Sequence, residues 1–152
     1  MPQTLATIND PETRKRYTGA AVRAFVRLAR LWELTEAQQL TLLGASLSRA
    51  TLSGWKTEEA SKTALSIDQL TRISYLVSIY EGLQRFFRRA PDEAQRWVRR
   101  PRHEAPFNGA TPLQVMLDHG IPGLDAVRRY VDAAAGGPPS RNWHFMGPAR
   151  EA

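Results

Sequence analysis

The chain has no cysteine, and among its 152 residues only Lys15, Lys56 and Lys62 are lysines. The first absence excludes a disulfide framework and thiolate metal sites, and nothing points to an oxidising compartment, so cytoplasm is the expected location. The scarcity of lysine means that arginine supplies almost all the positive charge behind a net +6. No apolar run approaches the roughly 20 residues that a bilayer span requires, and the amino-terminal stretch lacks an apolar core of signal-peptide length, so no membrane association is expected. Regular strand alternation is hard to find. A Gly-rich phosphate loop and zinc-ligand spacing are missing, and the three histidines are scattered. His103 beside Glu104 and His119 beside Asp118 are sequence neighbours, which rarely converge on one point, so these side chains are expected on the surface. No catalytic residue, metal or cofactor is expected, and an enzyme is the weakest reading.

Helical periodicity recurs throughout, which makes the expected fold all-α. A helix over 19–32 places Val22, Phe25, Val26, Ala29 and Trp32 on one face and Arg23, Arg27 and Arg30 on the other. Thr35 with Gln38 forms a capping-box signature for a second helix that breaks around Gly44 to Ser46, and "LSRATLSGWK" supplies a third. A polar stretch from Thr57 to Ala64 reads as a loop. Ser66 with Gln69 then opens a long central helix carrying Leu70, Ile73, Val77, Tyr80, Leu83 and Phe87, in which Gly82 marks a bend or a close helix crossing. Pro91 starts a short helix with Asp92 and Glu93 at its positive end, and the helix stops at Pro101. Thr111, Pro112 and Gln114 signal another capped start, Gly120 its end, and Pro122 the last helix. The expected divisions are an arm over 1–18, a DNA-binding region over 19–64, a central core or dimerisation helix over 65–90, a partner-binding domain over 91–137 and a tail over 138–152.

Short consecutive helices ending in "LSGWK" point to a helix-turn-helix unit. With Ser46 at the turn, Ser48, Arg49, Thr51, Ser53 and Lys56 are the expected DNA-facing residues, and Arg49 is the one suited to a bidentate guanine contact. The small residues around it have two readings at this point: close approach to phosphate, or loss of DNA affinity. Seven arginines fall between Arg85 and Arg102 against only Asp92 and Glu93. That excess lies outside any DNA-reading helix and calls for a second partner.

The order of these parts resembles the MbcA/ParS/Xre antitoxin family of bacterial toxin-antitoxin operons, over about residues 19 to 137. The resemblance is carried by "RWVRRPRHEAPFNGATPLQVML", with Trp97, Arg99, Arg100, Pro101, Phe107, Gly109, Pro112 and Leu113, and by "GLDAVRRYVDA", with Gly123, Leu124, Val127, Arg128 and Tyr130. It implies an Xre-like helix-turn-helix that binds operator DNA and represses its own operon. It further implies a helical carboxy-terminal domain that binds a RES-domain toxin, of a class that consumes NAD or transfers ADP-ribose, and blocks its active-site entrance. A homodimer within a larger toxin-antitoxin complex is also implied. On this reading Arg96, Arg99, Arg100, Phe107, Arg128, Arg129, Tyr130 and Trp143 are the expected toxin-binding residues, the exposed arginines having no packing duty. Trp97, Leu113 and Leu124 fit either the core or the interface. Trp143, Phe145 and Met146, in a Pro/Gly-rich tail, fit either a groove-inserting arm or a frayed end. The competing readings are a stand-alone helix-turn-helix regulator with a helical dimerisation or effector domain, and an arginine-rich adaptor without DNA affinity.

Overall fold

The computed structural model describes residues 10–44, 47–55 and 65–136, and within these it is entirely helical. Six helices follow in order: α1 (Pro11–Leu31), α2 (Glu36–Leu42), α3 (Arg49–Trp55), α4 (Ile67–Phe86), α5 (Pro91–Trp97) and α6 (Pro112–Ala134). No helix among them is long and apolar enough to cross a membrane.

Helix α1 begins eight residues earlier than its apolar periodicity indicates. Asp10 caps it, its carboxylate accepting from the Thr13 amide at 3.0 Å and the Thr13 hydroxyl at 2.9 Å, and Pro11 occupies the first turn. The segment expected as an arm through residue 18 is therefore helical from Pro11 onward. Thr18 shows why: it is fully buried, donates to the Arg14 carbonyl and accepts from the Leu65 amide, tying α1 to the entry of α4.

Helix α4 is the spine. Its buried residues, among them Gln69, Leu70, Ile73, Ser74, Leu76, Ser78, Ile79, Gly82 and Leu83, occupy every side of the helix, as expected of an element packed from several directions. The Ser66–Gln69 capping box forms as the sequence indicates. Helix α6 makes the most extensive contact with α4, and α1 the next. Gly82 sets the first of these crossings, because a Cβ there would lie 2.5 Å from Cγ1 of Val131.

Two turns carry the expected breaks. Gly44, at φ +93, ends α2 beside Arg72 and Asp68 of α4, where a Cβ would meet side-chain atoms at 2.9 and 3.0 Å. Gly120 interrupts α6 with φ 60 and ψ −142, so the Pro122 segment packs back on the preceding turn, and Gly123 lies so near the Val115 carbonyl that a Cβ would sit 2.4 Å from it. Thr111 caps α6 as expected, accepting from the Gln114 amide. The reciprocal half of the expected box is replaced, since the Gln114 side chain donates to Asp118 at 2.7 Å.

Candidate functional site

The amino-terminal half presents α2 and α3 as a helix-turn-helix. Thr35 and Gln38 close the α2 box, and the buried Gln39 amide donates to the Leu34 carbonyl at 3.0 Å. Ser48 caps α3 by accepting from the Thr51 amide at 3.1 Å, and the two hydroxyls lie 3.0 Å apart. Leu52 and Trp55 anchor α3 inward, with Trp55 edge-to-face against Phe25 of α1 at 6.1 Å. That leaves Ser48, Arg49, Thr51 and Ser53 exposed, together with Ala50, on the outer side of the helix. Arg49 faces Glu36 of α2 at 3.4 Å, both side chains being largely exposed. Such a pair holds weakly and leaves the guanidinium able to exchange its partner for a base or phosphate. Lys56 lies outside the described residues.

The second site is built where α5, the following loop and the end of α6 meet. Trp97, Phe107 and Tyr130 pack as three rings, with Trp97 and Tyr130 stacked at 6.0 Å and Phe107 edge-on to both at 5.8 and 4.9 Å. The Arg102 guanidinium lies 5.6 Å from the Trp97 ring centre and 5.7 Å from that of Tyr130. It also pairs with Glu104 at 2.8 Å, while the Tyr130 hydroxyl donates to the same carboxylate in a very short hydrogen bond. Tyr130's hydrogen bond, then a backbone amide and Arg102, holds the Glu104 carboxyl down at about 2, and Glu104 together with burial pushes the Tyr130 phenol up. Backbone bonds from Arg102 to Ala110 and from Gly109 back to Arg102 close the loop, and Asn108 and Gly109 turn it with positive φ.

Beside this loop Arg96 of α5, with Arg99 and Arg100 of the turn that follows, borders a cleft of about 430 Å³ whose other walls are Leu31, Glu33, Asp92 and Gln95. Arg99 donates to the carbonyls of Trp32 at 2.8 Å and Glu33 at 3.2 Å, closing the carboxy-terminal end of α1. Arg96 and Arg100 share Glu93, at 3.5 and 2.8 Å.

The structure thus brings Arg96, Arg99 and Arg100 together and revises what several expected side chains do. Phe107 is only 3% exposed and belongs to the aromatic core, so its ring is not a surface anchor. Arg99 has a packing duty as a helix cap. Arg128 is also engaged: it pairs with Asp125 at 3.0 Å and Asp132 at 3.3 Å and lies 5.4 Å from the Tyr75 ring, its side chain 21% exposed. Arg129 is the outward one of the two, 76% exposed with Nε on Asp125 at 2.9 Å. Tyr130 acts on the loop from within. Trp97, Leu113 and Leu124 are all buried, which resolves them as core. Trp143 lies outside the described residues.

Sequence reasoning missed Arg102, Glu104 and the Tyr75–Asp125–Arg128–Asp132 network. Burial pushes the Asp132 carboxyl up against the opposing pull of Arg128 and Arg85, and burial followed by Asp125 pushes the Tyr75 phenol up. The Asp125, Arg128 and Asp132 spacing of three and four residues was a readable signal. Glu104 and Tyr130, 26 positions apart, left none.

Fold and surfaces define a helical protein with a helix-turn-helix and a separate arginine-bordered, aromatic-braced surface. Residues 18–78 match the antitoxin Xre-like helix-turn-helix domain, and residues 82–137 match the antitoxin Xre/MbcA/ParS C-terminal toxin-binding domain. The chain is 35% identical over 129 residues, 85% of its own length and 95% of the relative's, to a Sinorhizobium fredii protein named "Uncharacterized protein y4oB". The chain belongs to the Xre/MbcA/ParS antitoxin family and is an antitoxin with a DNA-binding and a toxin-binding domain. The two matched domains meet between Ser78 and Gly82, inside α4, so one helix carries both.

Proposed function

We propose that the chain neutralises a RES-domain toxin that consumes NAD or transfers ADP-ribose, by covering the entrance to the toxin's active site, and that it represses its own operon through α3. The observation that carries this reading is the arginine-bordered cleft, whose Asp92–Arg100 wall lies in the matched toxin-binding domain and whose Leu31 and Glu33 wall comes from the matched helix-turn-helix domain, with the pinned loop beside it. Arginine forks on α5 and on the turn that follows it suit a carboxylate-bearing rim, and a loop already fixed by three rings loses little entropy on docking. Arg96, Arg100 and Arg129 are the residues we assign to the toxin contact, while Arg99, Phe107, Arg128 and Tyr130 hold that surface in shape. Trp143, on the tail, is assigned to the blocking contact. Operator contact is assigned to Ser48, Arg49, Thr51, Ser53 and Lys56, with the protein acting as a homodimer within the toxin complex in the cytoplasm.

The test is co-expression with the product of the adjacent gene, followed by growth measurement and gel filtration. Growth restored by the full chain, and lost in an Arg96→Glu/Arg100→Glu variant that still folds, supports the assignment. Rescue by residues 1–64 alone would place neutralisation outside the carboxy-terminal surface.

A further inference from the structure

Helix α1 carries a line of charge that neither recognition surface uses. Arg16, Arg23, Arg27 and Arg30 are all exposed. At about 100° per residue they fall within an arc of about 60°, and at about 1.5 Å per residue they run along about 21 Å of helix. The side chains of Arg23, Arg27 and Arg30 have no hydrogen bond or ion pair with a described residue. The acidic residue of α1, Glu12, stands in the first turn at the far end of the line.

Phe25 projects from the opposite side of α1 and meets Trp55 of α3 there. The arginine line therefore lies on the side of α1 turned away from the recognition helix. Gly19, Ala20 and Ala24 border the line, and no aromatic side chain lies on this face. A protein hot spot is built around an apolar or aromatic anchor that leaves water, and the half-buried apolar side chains at the borders of this face, Val26 and Leu31, already pack against the core. Bare arginines in a row, with small neighbours that let a backbone come close, suit phosphates instead. Duplex DNA offers about one negative charge per 1.7 Å of axis, hence about twelve along the line.

We propose that the outer face of α1 is a second DNA surface, independent of sequence, which holds the phosphate backbone of a duplex segment other than the one read by α3. It rests on the proposed operator binding by α3 for its bridging role, and the protein then joins two stretches of DNA.

The experiment immobilises a duplex from the region upstream of the gene, loads the full-length protein, and offers a labelled random-sequence duplex of equal length. Wild-type protein captures the second duplex. The Arg23→Gln/Arg27→Gln variant, whose exposed helical positions accept glutamine with little change in helix propensity, stays on the immobilised duplex and captures none. In direct titrations its affinity for the random duplex drops roughly 30-fold at physiological salt, and the slope of log K against log salt falls by about 1.8. Capture and slope unchanged in the variant would overturn the proposal and leave the α3 reading standing. Wild-type protein that binds neither duplex would overturn both.

Discussion

At the scale of single residues, Gly82 and Glu104 illustrate opposite lessons. Gly82 lies inside a long helix, where alanine normally adds up to about 1 kcal/mol of stability. Here the added methyl would press on Val131, which is β-branched, buried and unable to swing aside. Overpacking of this kind costs about 1–3 kcal/mol, so Gly82→Ala is expected to lower the unfolding free energy by about 1 kcal/mol in urea titration. A rise in stability would mean the α4–α6 crossing adjusts freely. Glu104 is set by chemistry instead of space. Its carboxyl is lowered from 4.5 to about 2 by the Tyr130 hydroxyl first. A group depressed on folding stabilises the folded state fully above its ordinary value, and that contribution is lost as the pH falls through the folded value. The Glu104 carboxyl observed by NMR should therefore titrate near 2 in the native chain and move back toward 4.5 in Tyr130→Phe. A Glu104 inflection near 4.5 in the unaltered protein would remove the clamp from the account.

At the scale of elements, the caps and breaks were the most legible part of the sequence. Thr35 with Gln38 and Ser66 with Gln69 form the boxes their spacing announces, and Gly120 and Pro122 break α6 where expected. Local signals succeed because both partners lie within one turn. The start of α1 was misplaced because its buried positions before Ala21 are the threonines Thr13 and Thr18, and threonine burial has no signature in apolar periodicity. The surroundings of α4 were equally hidden: the hydroxyls of Ser74 and Ser78 are buried with no hydrogen-bond partner among the described residues. An unpaired buried hydroxyl costs about 1–3 kcal/mol, so Ser78→Ala should raise stability by about 1 kcal/mol in thermal or urea unfolding. Destabilisation would show that the hydroxyl has a partner after all. Arg99 joins elements that the sequence keeps 67 positions apart. Arg99→Ala should cost about 1 kcal/mol, and it should speed amide exchange at the end of α1 before the rest of the helix, which hydrogen exchange can resolve.

At the scale of the whole molecule, the sequence pointed to a second partner besides DNA without showing how one small chain presents both surfaces. The excess of arginine between Arg85 and Arg102 falls inside the matched toxin-binding domain, yet exposure had to be read side chain by side chain. Arg96 and Arg100 are exposed at the cleft and share the partly exposed Glu93, whereas Arg99 caps α1 and Arg128 is held, mostly covered, between Asp125 and Asp132. Phe107 was misjudged because an aromatic beside glycine in a loop looks exposed until the rings of Trp97 and Tyr130 are found on either side of it. The sharing of α4 by both matched domains couples their stability, so changes in either domain should be felt as one cooperative transition. The central claim, that this surface closes a toxin's active site, is tested most directly by NAD consumption. Purified RES-domain toxin is titrated with the full-length chain, and complex formation is followed in parallel by gel filtration. The account predicts that turnover falls in proportion to complex formed and stops at saturation, and that Arg96→Glu/Arg100→Glu restores it by preventing assembly. A fully assembled complex that still consumes NAD at the rate of free toxin would contradict it.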